Sequence, residues 1–326
     1  MLDGDEHATD ALSVALCIPT FRRPDDLARL LAALPEVIET ARSEVAIGEV
    51  AVIVVDNDSA ASAEQTVRAA GVPAHYVVES ERGVVAVRNR ALDEAAGHDI
   101  VVFIDDDETP ADARWLSRLL ATRVEHDATV VAGPVRTVTD EPLDPWIVAG
   151  GFFDRTHRAG LRTGAPITRA ATNNLLLDRR FVAESGIRFD ARFGRTGGED
   201  SLFTSQLHAA GAHMVWCAEA LVLDHLPVER RTRAHALERT RGMANAGARV
   251  ALALAASRSE RIVVRMKAIV SGVVRWAVGG VRGAVGALTR SERLRATGAR
   301  ERARGRGSIS GAGNRTRDLY GGGGVR

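Results

Sequence analysis

Residues 101–108 have the sequence Val-Val-Phe-Ile-Asp-Asp-Asp-Glu, in which four apolar residues lead directly into four acidic ones. The apolar half, extended by Ile100, predicts a short buried strand. In an open α/β sheet, ligands bind outside the carboxyl ends of the strands, which is where the acidic half begins. Crowded carboxylates repel each other unless a cation neutralises them, and their oxygens suit Mg²⁺ or Mn²⁺ held together with phosphates. We therefore predict a metal and phosphate site at Asp105 and Asp107; an acidic surface loop or a first helical turn is the alternative.

Strands and helices alternate along the chain before this stretch and just beyond it. The pattern predicts strands at 13–19, 49–55, 74–78 and 100–104, and helices from Pro24, at 60–70, at 84–96 and at 111–123. Such alternation is typical of right-handed crossovers between the strands of a mainly parallel sheet, so we assign the α/β fold class. Because the carboxyl ends of parallel strands share one edge, Thr20, Asp56 and Asp58 are expected near Asp105.

Beyond residue 128 the regular alternation is lost. Short strands are predicted at 129–134, 174–177, 213–217 and 220–225, and helices at 179–185 and 200–210. Residues 140–170 contain glycine and proline without a clear period, so we expect a loop or an extended insertion there.

The two parts of the chain on either side of residue 227 differ strongly in charge. Residues 1–227 contain 21 arginine and lysine residues against 36 acidic ones, whereas residues 228–326 contain 22 against 6. Such asymmetry predicts that the basic part meets an anionic surface. Nucleic acid is disfavoured as that surface, because aromatic residues are nearly absent from the basic part. An anionic membrane is therefore the expected partner.

Within the basic part, residues 262–289 mix apolar runs with spaced cations. The cations that a helix would place within an arc of roughly 100° are Arg265, Arg275, Arg282 and Arg290. One interpretation is a basic amphipathic helix lying on the membrane. The other is a helical hairpin packed on the N-terminal domain, with its arginine stripe in solvent. The last residues, 299–326, are rich in arginine, glycine and serine and predict disorder.

The N-terminal residues and the cysteines bear on location. Residues 1–10 are polar and acidic and lack the basic start and apolar run of a secretory signal. Cys17 and Cys217 have no metal-ligand spacing and are expected to be buried thiols in a reducing compartment. We therefore expect a cytoplasmic protein, peripheral on the inner face of the plasma membrane.

Glycine-rich phosphate loops are missing from the sequence. Neither G-x-x-x-x-G-K-[ST] nor G-x-G-x-x-G occurs, which argues against a P-loop and against a dinucleotide fingerprint. Phosphates at the sheet edge would then need cations, which a metal at the aspartates and the guanidinium of Arg88 can supply.

Five short motifs occur in a fixed order along the chain. They are Val-Ala-Leu-Cys-Ile-Pro-Thr-Phe-Arg-Arg, Val-Ile-Val-Val-Asp-Asn-Asp-Ser, Arg-Gly-Val-Val-Ala-Val-Arg-Asn-Arg-Ala-Leu, Phe-Ile-Asp-Asp-Asp-Glu and Gly-Gly-Glu-Asp-Ser. In this order they resemble the family 2 glycosyltransferases, inverting enzymes of the GT-A fold, over about residues 13–225. The resemblance implies a GT-A catalytic domain at 10–227. A basic amphipathic helical region at 228–298 and a disordered tail at 299–326 would follow it.

The resemblance also implies roles in binding the nucleotide. Thr20 and Asp56 would line the nucleoside pocket, with Asp56 or Asp58 binding the base. Arg88 and Asn89 would lie near the nucleotide.

Metal binding and catalysis follow from the same resemblance. Asp105 and Asp107 match an Asp-x-Asp element that binds Mn²⁺ or Mg²⁺, with Asp107 as the direct ligand; because three aspartates are consecutive, Asp106 stays a candidate. Asp200 matches the catalytic base. His225 resembles a late histidine that some relatives supply to the metal.

These roles imply transfer of a sugar from a nucleotide-sugar, with a UDP-sugar favoured, to a hydroxyl acceptor. The implied pathway is cell-surface polysaccharide or glycolipid synthesis, with an acceptor that is expected to be lipid-linked. A nucleotidyltransferase that makes nucleotide-sugars is an alternative, but it would normally carry a glycine-rich phosphate loop where residues 20–24 stand. A non-catalytic membrane-associated scaffold is the other alternative, and the intact Asp105, Asp107 and Asp200 argue against it.

Overall fold

The computed structural model describes residues 11–155, 158–194 and 196–313. The strands are β1 (Leu12–Thr20), β2 (Ile47–Asp56), β3 (Ala74–Val78), β4 (Ile100–Ile104), β5 (Glu108–Pro110), β6 (Val130–Ala132), β7 (Val135–Val138), β8 (Asn174–Asp178), β9 (Met214–Trp216) and β10 (Val222–His225). The helices are α1 (Pro24–Glu44), α2 (Glu64–Ala69), α3 (Val84–Glu94), α4 (Trp115–Glu125), α5 (Pro145–Gly150), α6 (Arg179–Ser185), α7 (Glu199–Ala209), α8 (Arg233–Leu254), α9 (Arg258–Leu288) and α10 (Glu292–Ala312).

The central sheet has seven strands in the order β3-β2-β1-β4-β8-β6-β9. Only β8 runs antiparallel to its neighbours, and the other pairs are parallel. The predicted α/β class with a mainly parallel sheet is therefore confirmed. The register pairs Thr20 with Asp56 and Cys17 with Phe103, so β1, β2 and β4 end at the same edge. This edge brings together the polar residues that follow each strand.

Apolar side chains cover both faces of the sheet, and every residue of β4 is buried. On one face α1 contributes a buried row of leucines at helical spacing. On the other face the rings of Phe189 and Phe203 stack with their centroids 4.0 Å apart. Cys17 and Cys217 are free and buried in this core, as the sequence predicts. A strand covered on both faces is held rigidly, and so is the acidic stretch that follows it.

A second sheet continues directly from the acidic stretch. Its strands lie in the order β5-β10-β7, and β10 runs antiparallel to β5 with Asp224 opposite Glu108. The backbone N–H of His225 donates to the carbonyl of Asp107 at 3.0 Å. The small sheet therefore fixes the end of the acidic stretch from the other side.

Helix α4 begins later than the sequence pattern predicts, at Trp115 rather than at residue 111. The segment Glu108–Pro110 is a strand, and the Asp112 side chain accepts the Arg114 N–H at 2.9 Å in a turn. The first residues of the predicted helix are thus used by the second sheet and by this turn.

The expected loop at 140–170 contains one short helix, α5. Pro145 occupies its first turn, and the Asp144 carboxylate caps it by accepting the Trp146 N–H at 2.8 Å. A proline and an aspartate cap can start a helix in a segment whose hydrophobic period is unclear.

The last three helices of the described chain, α8, α9 and α10, follow the second sheet: α9 and α10 form a hairpin, and α10 packs against α8 and α5. The hairpin interpretation of the basic region therefore describes its packing. The predicted disorder at 299–326 is wrong for residues 299–312, which form the last two thirds of α10, while residues 314–326 lie outside the described residues. None of the helices in the described ranges has both the length and the apolar character needed to cross a membrane.

Glycines explain why the disorder prediction failed. Gly272, Gly279 and Gly286 recur every seven residues on α9 and are buried; we call them the glycine seam. A Cβ at Gly279 would lie 2.5 Å from the carbonyl oxygen of Gly298, and one at Gly272 would lie 2.9 Å from that of Gly305. Glycine usually weakens a helix, but here it allows two helix backbones to touch and so contributes packing.

The glycine seam makes a direct prediction about stability. Gly279→Ala is expected to lower the free energy of unfolding by about 1–3 kcal/mol, because the added methyl group overpacks the contact with α10. Gly280→Ala is the matched control, since a Cβ there meets nothing within 4 Å. That control should raise the free energy of unfolding by about 0.5–1 kcal/mol. Denaturant unfolding followed by circular dichroism measures both, and shifts of the same sign would contradict the seam.

Candidate active site

Among the three aspartates of the acidic stretch, Asp106 is the buried one, at 4% exposed. Its carboxylate accepts a hydrogen bond from Thr20 Oγ1 at 2.8 Å and pairs with Arg23 Nη1 at 2.9 Å. Asp106 therefore ties the ends of β1 and β4 together. These contacts favour Asp105 and Asp107, rather than Asp106, as the pair that meets a ligand.

Asp107 lies in a crowded electrostatic environment. Its Oδ2 atom is 2.7 Å from Arg23 Nη1 and 3.5 Å from Arg230 Nη1. Burial raises the pKa of Asp107 to about 7, with help from the charges of Asp105 and Asp106, although Arg23 opposes the shift. The rise is therefore due chiefly to burial, and Arg23 offsets only part of it.

Arg88 links the acidic stretch to Glu199, the first residue of α7. Its guanidinium is buried and lies 2.6 Å from Glu199 Oε1 and 3.5 Å from Asp105 Oδ1. Burial raises the pKa of Glu199 to about 7 and Arg88 opposes this rise. Arg88 thus joins two acidic groups that lie far apart in the sequence.

Asp200 sits in the first turn of α7 beside this pair. Gly197 and Gly198, at φ 73° and 94°, make the left-handed turn before the helix, a conformation that favours glycine. The Asp200 Oδ1 atom accepts the N–H of Ser201 at 2.5 Å. Burial raises the pKa of Asp200; the positive charge of Arg88 opposes this rise, and the negative charge of Asp105 adds to it. Asp200 therefore belongs to the same electrostatic cluster as the acidic stretch.

Helix α8 braces the loop that leads into the first turn of α7, where Asp200 lies. A Cβ at Gly198 would lie 3.0 Å from Val250 Cγ2. Arg249 donates to Thr196 Oγ1 and to the carbonyl of Arg192, the latter at 3.1 Å. The C-terminal helices thus support the loop directly.

The end of β2 places two aspartates in different roles. Asp56 is fully buried, and its carboxylate accepts the Asp58 N–H at 2.8 Å, the Ala63 N–H at 2.9 Å and the Tyr76 hydroxyl at 2.8 Å. Asp58 instead pairs with Arg22 Nε at 2.9 Å, and the Arg22 side chain is 58% exposed. Asp56 therefore organises the loop, whereas Asp58 pairs with a side chain that can move into solvent.

Two other candidates have side chains that already bond within the protein. The Asn89 side-chain amide donates to the carbonyl of Phe189 and accepts its N–H, both at 3.0 Å. His225 Nε2 lies 2.9 Å from Thr109 Oγ1. Burial lowers the pKa of His225, as does Arg29, so its imidazole is neutral at neutral pH. His225 lies opposite Asp107, whose carbonyl accepts the His225 backbone N–H. Asn89 lies against Phe189, in the segment between α6 and α7.

The donor atoms present suit a divalent ion only if a ligand completes its coordination. In the described part of the chain, no group of three or more histidine, cysteine, aspartate or glutamate side chains could hold a metal by itself. Mg²⁺ and similar ions, however, are commonly held by one or two carboxylates together with substrate phosphates. Asp105 and Asp107, whose side chains are 32 and 13% exposed, fit that shared kind of site better than the buried Asp106 and Glu108.

Some residues of the site were not assigned roles from the sequence. Arg23 contacts both Asp106 and Asp107, and Glu199 is the buried partner of Arg88. Asn57 donates to the carbonyls of Glu79 and Glu81, at 3.0 and 2.7 Å, and so anchors the loop before α3. All three lie inside the recognised motifs, but only the fold shows what they contact.

Solved structures with a similar fold support the architecture. Residues 1–349 of S. aureus TarS match with a TM-score of 0.50 and 16% identity, covering 89% of this chain and 90% of that one. GalNAc-T7, solved with UDP, GalNAc and Mn²⁺, matches with a TM-score of 0.50 and 12% identity, covering 73% of this chain and 48% of that one. At such identities the likeness shows the fold alone. That fold, a mainly parallel sheet with flanking helices, is similar to the fold of the GT-A glycosyltransferases.

Sequence comparison identifies the family. The model of "Glycosyl transferase family 2" matches residues 15–182. The succinoglycan biosynthesis protein ExoM of Rhizobium meliloti (strain 1021) is 33% identical over 234 residues, which cover 69% of this chain and 71% of that protein. The chain belongs to glycosyltransferase family 2 and is a glycosyltransferase, as the sequence motifs predict.

Proposed function

We propose that the protein transfers a sugar with inversion from a nucleotide-sugar, a UDP-sugar being favoured, to a hydroxyl acceptor of a cell-surface polysaccharide or glycolipid. The observation that carries the proposal is the position of the Arg88 guanidinium, which lies 2.6 Å from Glu199 Oε1 and 3.5 Å from Asp105 Oδ1. It holds the first turn of α7, which contains Asp200, beside the acidic stretch. The similarity to ExoM, whose name places it in succinoglycan biosynthesis, supports a polysaccharide product. The GalNAc-T7 structure with UDP supports a uridine donor.

In the proposed reaction, Asp200 accepts the proton of the acceptor hydroxyl while that oxygen attacks the anomeric carbon of the donor. The bond from acceptor oxygen to anomeric carbon forms, the bond from that carbon to the diphosphate breaks, and the nucleoside diphosphate leaves. Attack on the face opposite the leaving group inverts the configuration. The positive charge of Arg88 holds Glu199 in place and limits the rise that burial causes in the pKa of Asp200, which favours the ionised, basic form of that carboxyl.

A divalent ion is part of the proposal. Asp105 and Asp107 would hold Mn²⁺ or Mg²⁺ together with the donor diphosphate, and His225, which is neutral, is a further candidate ligand. When bound, the ion supplies positive charge that stabilises the leaving diphosphate. Arg23 contacts Asp107 Oδ2, so a bound ion would compete with that contact.

At the nucleoside end we propose Asp58, rather than Asp56, as the side chain that contacts the base. Asp56 accepts three hydrogen bonds within the protein, two from loop N–H groups and one from the Tyr76 hydroxyl on β3, whereas Asp58 is held by the half-exposed Arg22. Thr20 and Asn89 act on the same pocket by positioning Asp106 and Phe189.

The acceptor is proposed to be lipid-linked, and the basic region after residue 227 is proposed to meet an anionic membrane at the inner face of the plasma membrane. The excess of 22 basic over 6 acidic residues in that region supports the proposal.

The test is release of nucleoside diphosphate from a panel of nucleotide-sugars with Mn²⁺, with Mg²⁺ or with EDTA. We expect one donor to be used, and EDTA or Asp107→Asn to lower its turnover at least about 100-fold, because charge on the leaving group is then less stabilised. Asp140→Asn is the matched control, since its side chain is 93% exposed, and should keep the parent rate.

Two outcomes would overturn parts of the proposal. Turnover that is unchanged by EDTA and by Asp107→Asn would contradict the proposed role of a divalent ion. Formation of a nucleotide-sugar with pyrophosphate release, from a nucleoside triphosphate and a sugar phosphate, would instead identify a nucleotidyltransferase.

A further inference from the structure

Helix α9 exposes a continuous apolar surface. We define the apolar stripe by Val263, Met266, Val270, Val274, Val281 and Leu288. Their exposed fractions are 49, 52, 55, 54, 66 and 86%. At 100° per residue these six side chains lie within an arc of about 80°, and at 1.5 Å per residue the stripe is about 38 Å long. An exposed apolar surface of this extent marks an interaction site.

The apolar stripe is exposed because the opposite side of α9 makes the packing contacts. The glycine seam faces α10, and its residues lie about 180° around the helix from the stripe. Because α10 packs in turn on α8 and α5, α9 is held against the rest of the protein with its apolar side outward.

Charge decides what kind of partner fits the stripe. Lys267 borders the stripe, and Arg282 and Arg265 lie about 80° and 100° beyond its two edges, while the chain from 261 to 291 contains no acidic residue. A second copy of this chain would bring two positively charged surfaces together, which costs free energy. An anionic lipid surface instead offers phosphates to the flanking cations and an apolar layer to the stripe.

We propose that α9 lies in the plane of an anionic membrane, with the apolar stripe at the boundary of headgroups and acyl chains and with Lys267 and Arg282, which follow the stripe on one side, against lipid phosphates. The inference rests on the proposed membrane contact of the basic region and names the helix and the side of it that make the contact. Its test measures lipid binding without sugar transfer, so the two proposals can fail separately.

The experiment is flotation of the full chain with vesicles of phosphatidylcholine alone and of phosphatidylcholine with about a third phosphatidylglycerol. We expect the parent protein to float with the anionic vesicles and, at 0.5 M salt, to lose most of that binding. Val270→Glu with Val281→Glu should lower the partition into anionic vesicles at least about tenfold, because two apolar contacts are lost and two anions are added.

A second double variant makes the matched control. Val124→Glu with Val148→Glu introduces the same side chains at positions that are 62 and 61% exposed outside α9, and it should float like the parent. All four valines are exposed, so both variants should keep the parent circular dichroism spectrum and nucleotide-sugar turnover. Equal flotation of the two double variants would overturn the proposal. Concentration-dependent dimers that only the α9 variant abolishes, without flotation of the parent, would overturn it in favour of a second copy.

Discussion

Asp200→Asn is expected to lower kcat by about 10²–10⁴-fold while leaving the dissociation constant for the nucleoside diphosphate within about threefold of the parent value. The variant keeps the shape of the side chain but removes the group that accepts the proton. Asp200 belongs to the first turn of α7, beside Arg88 rather than at the end of β2 where the nucleoside is proposed to bind. Steady-state kinetics and isothermal titration with the diphosphate measure the two quantities.

The pH profile of the parent enzyme gives a second measure of the same group. Burial raises the pKa of Asp200, and a base works only when it is ionised, so kcat/KM should fall on acidification at a higher pH than for an ordinary aspartate, whose pKa is about 3.9. The acidic limb should be absent from the residual activity of Asp200→Asn. Asp140, whose side chain is 93% exposed, provides the control: Asp140→Asn should keep the parent rate and the parent fall of kcat/KM on acidification. Full activity in Asp200→Asn would show that another group accepts the proton.

Arg88→Met is expected to lower the free energy of unfolding by about 3–5 kcal/mol, because it leaves Glu199 buried without its ion-pair partner. It should also move the acidic limb of kcat/KM to higher pH, since the charge of Arg88 lowers the pKa of Asp200. A purely structural arginine would affect stability without moving that limb. Denaturant unfolding and the pH profile are measured on the same preparation.

Arg188→Met is the matched control for Arg88→Met. Arg188 also pairs with a carboxylate, that of Asp93, but the two side chains are 43 and 55% exposed. Exposed ion pairs of this kind contribute about 0–1 kcal/mol, so the control should lose no more than that and should keep the parent pH profile. Arg88→Lys retains the charge and should restore part of the activity. Equal losses of stability in the two methionine variants would contradict the bridging role of Arg88.

These predictions connect the C-terminal helices to catalysis as well. Helix α8 contacts the turn at Gly198, and α10 joins α8 to α9. Gly279→Ala disturbs the contact between α9 and α10, whereas the turn at Gly198 is contacted by α8. We therefore expect this variant to weaken lipid binding more than it lowers the rate of sugar transfer.

Much of the fold could be predicted from hydrophobic pattern alone. The buried strands at 13–19, 49–55 and 100–104 form as predicted, because each is a short apolar run ended by a polar residue. Their parallel order follows from the helices between them, and it brings Thr20 and the acidic stretch to one edge. Local pattern was misleading at 299–312, where glycine and arginine suggest disorder but contacts with α9 and α8 stabilise a helix.

The sequence by itself determined the α/β class, the family and the strand ends at which the acidic motifs stand, because these depend on local runs of residues and their spacing. Only the tertiary structure decided the partners: Arg88 bonds Glu199 across 111 residues, and Arg23 bonds Asp106 across 83. It also decided which side of α9 is exposed, since that depends on where α10 packs. Contacts between distant segments depend on how the helices pack on the sheet, and residue spacing along the chain does not specify that packing.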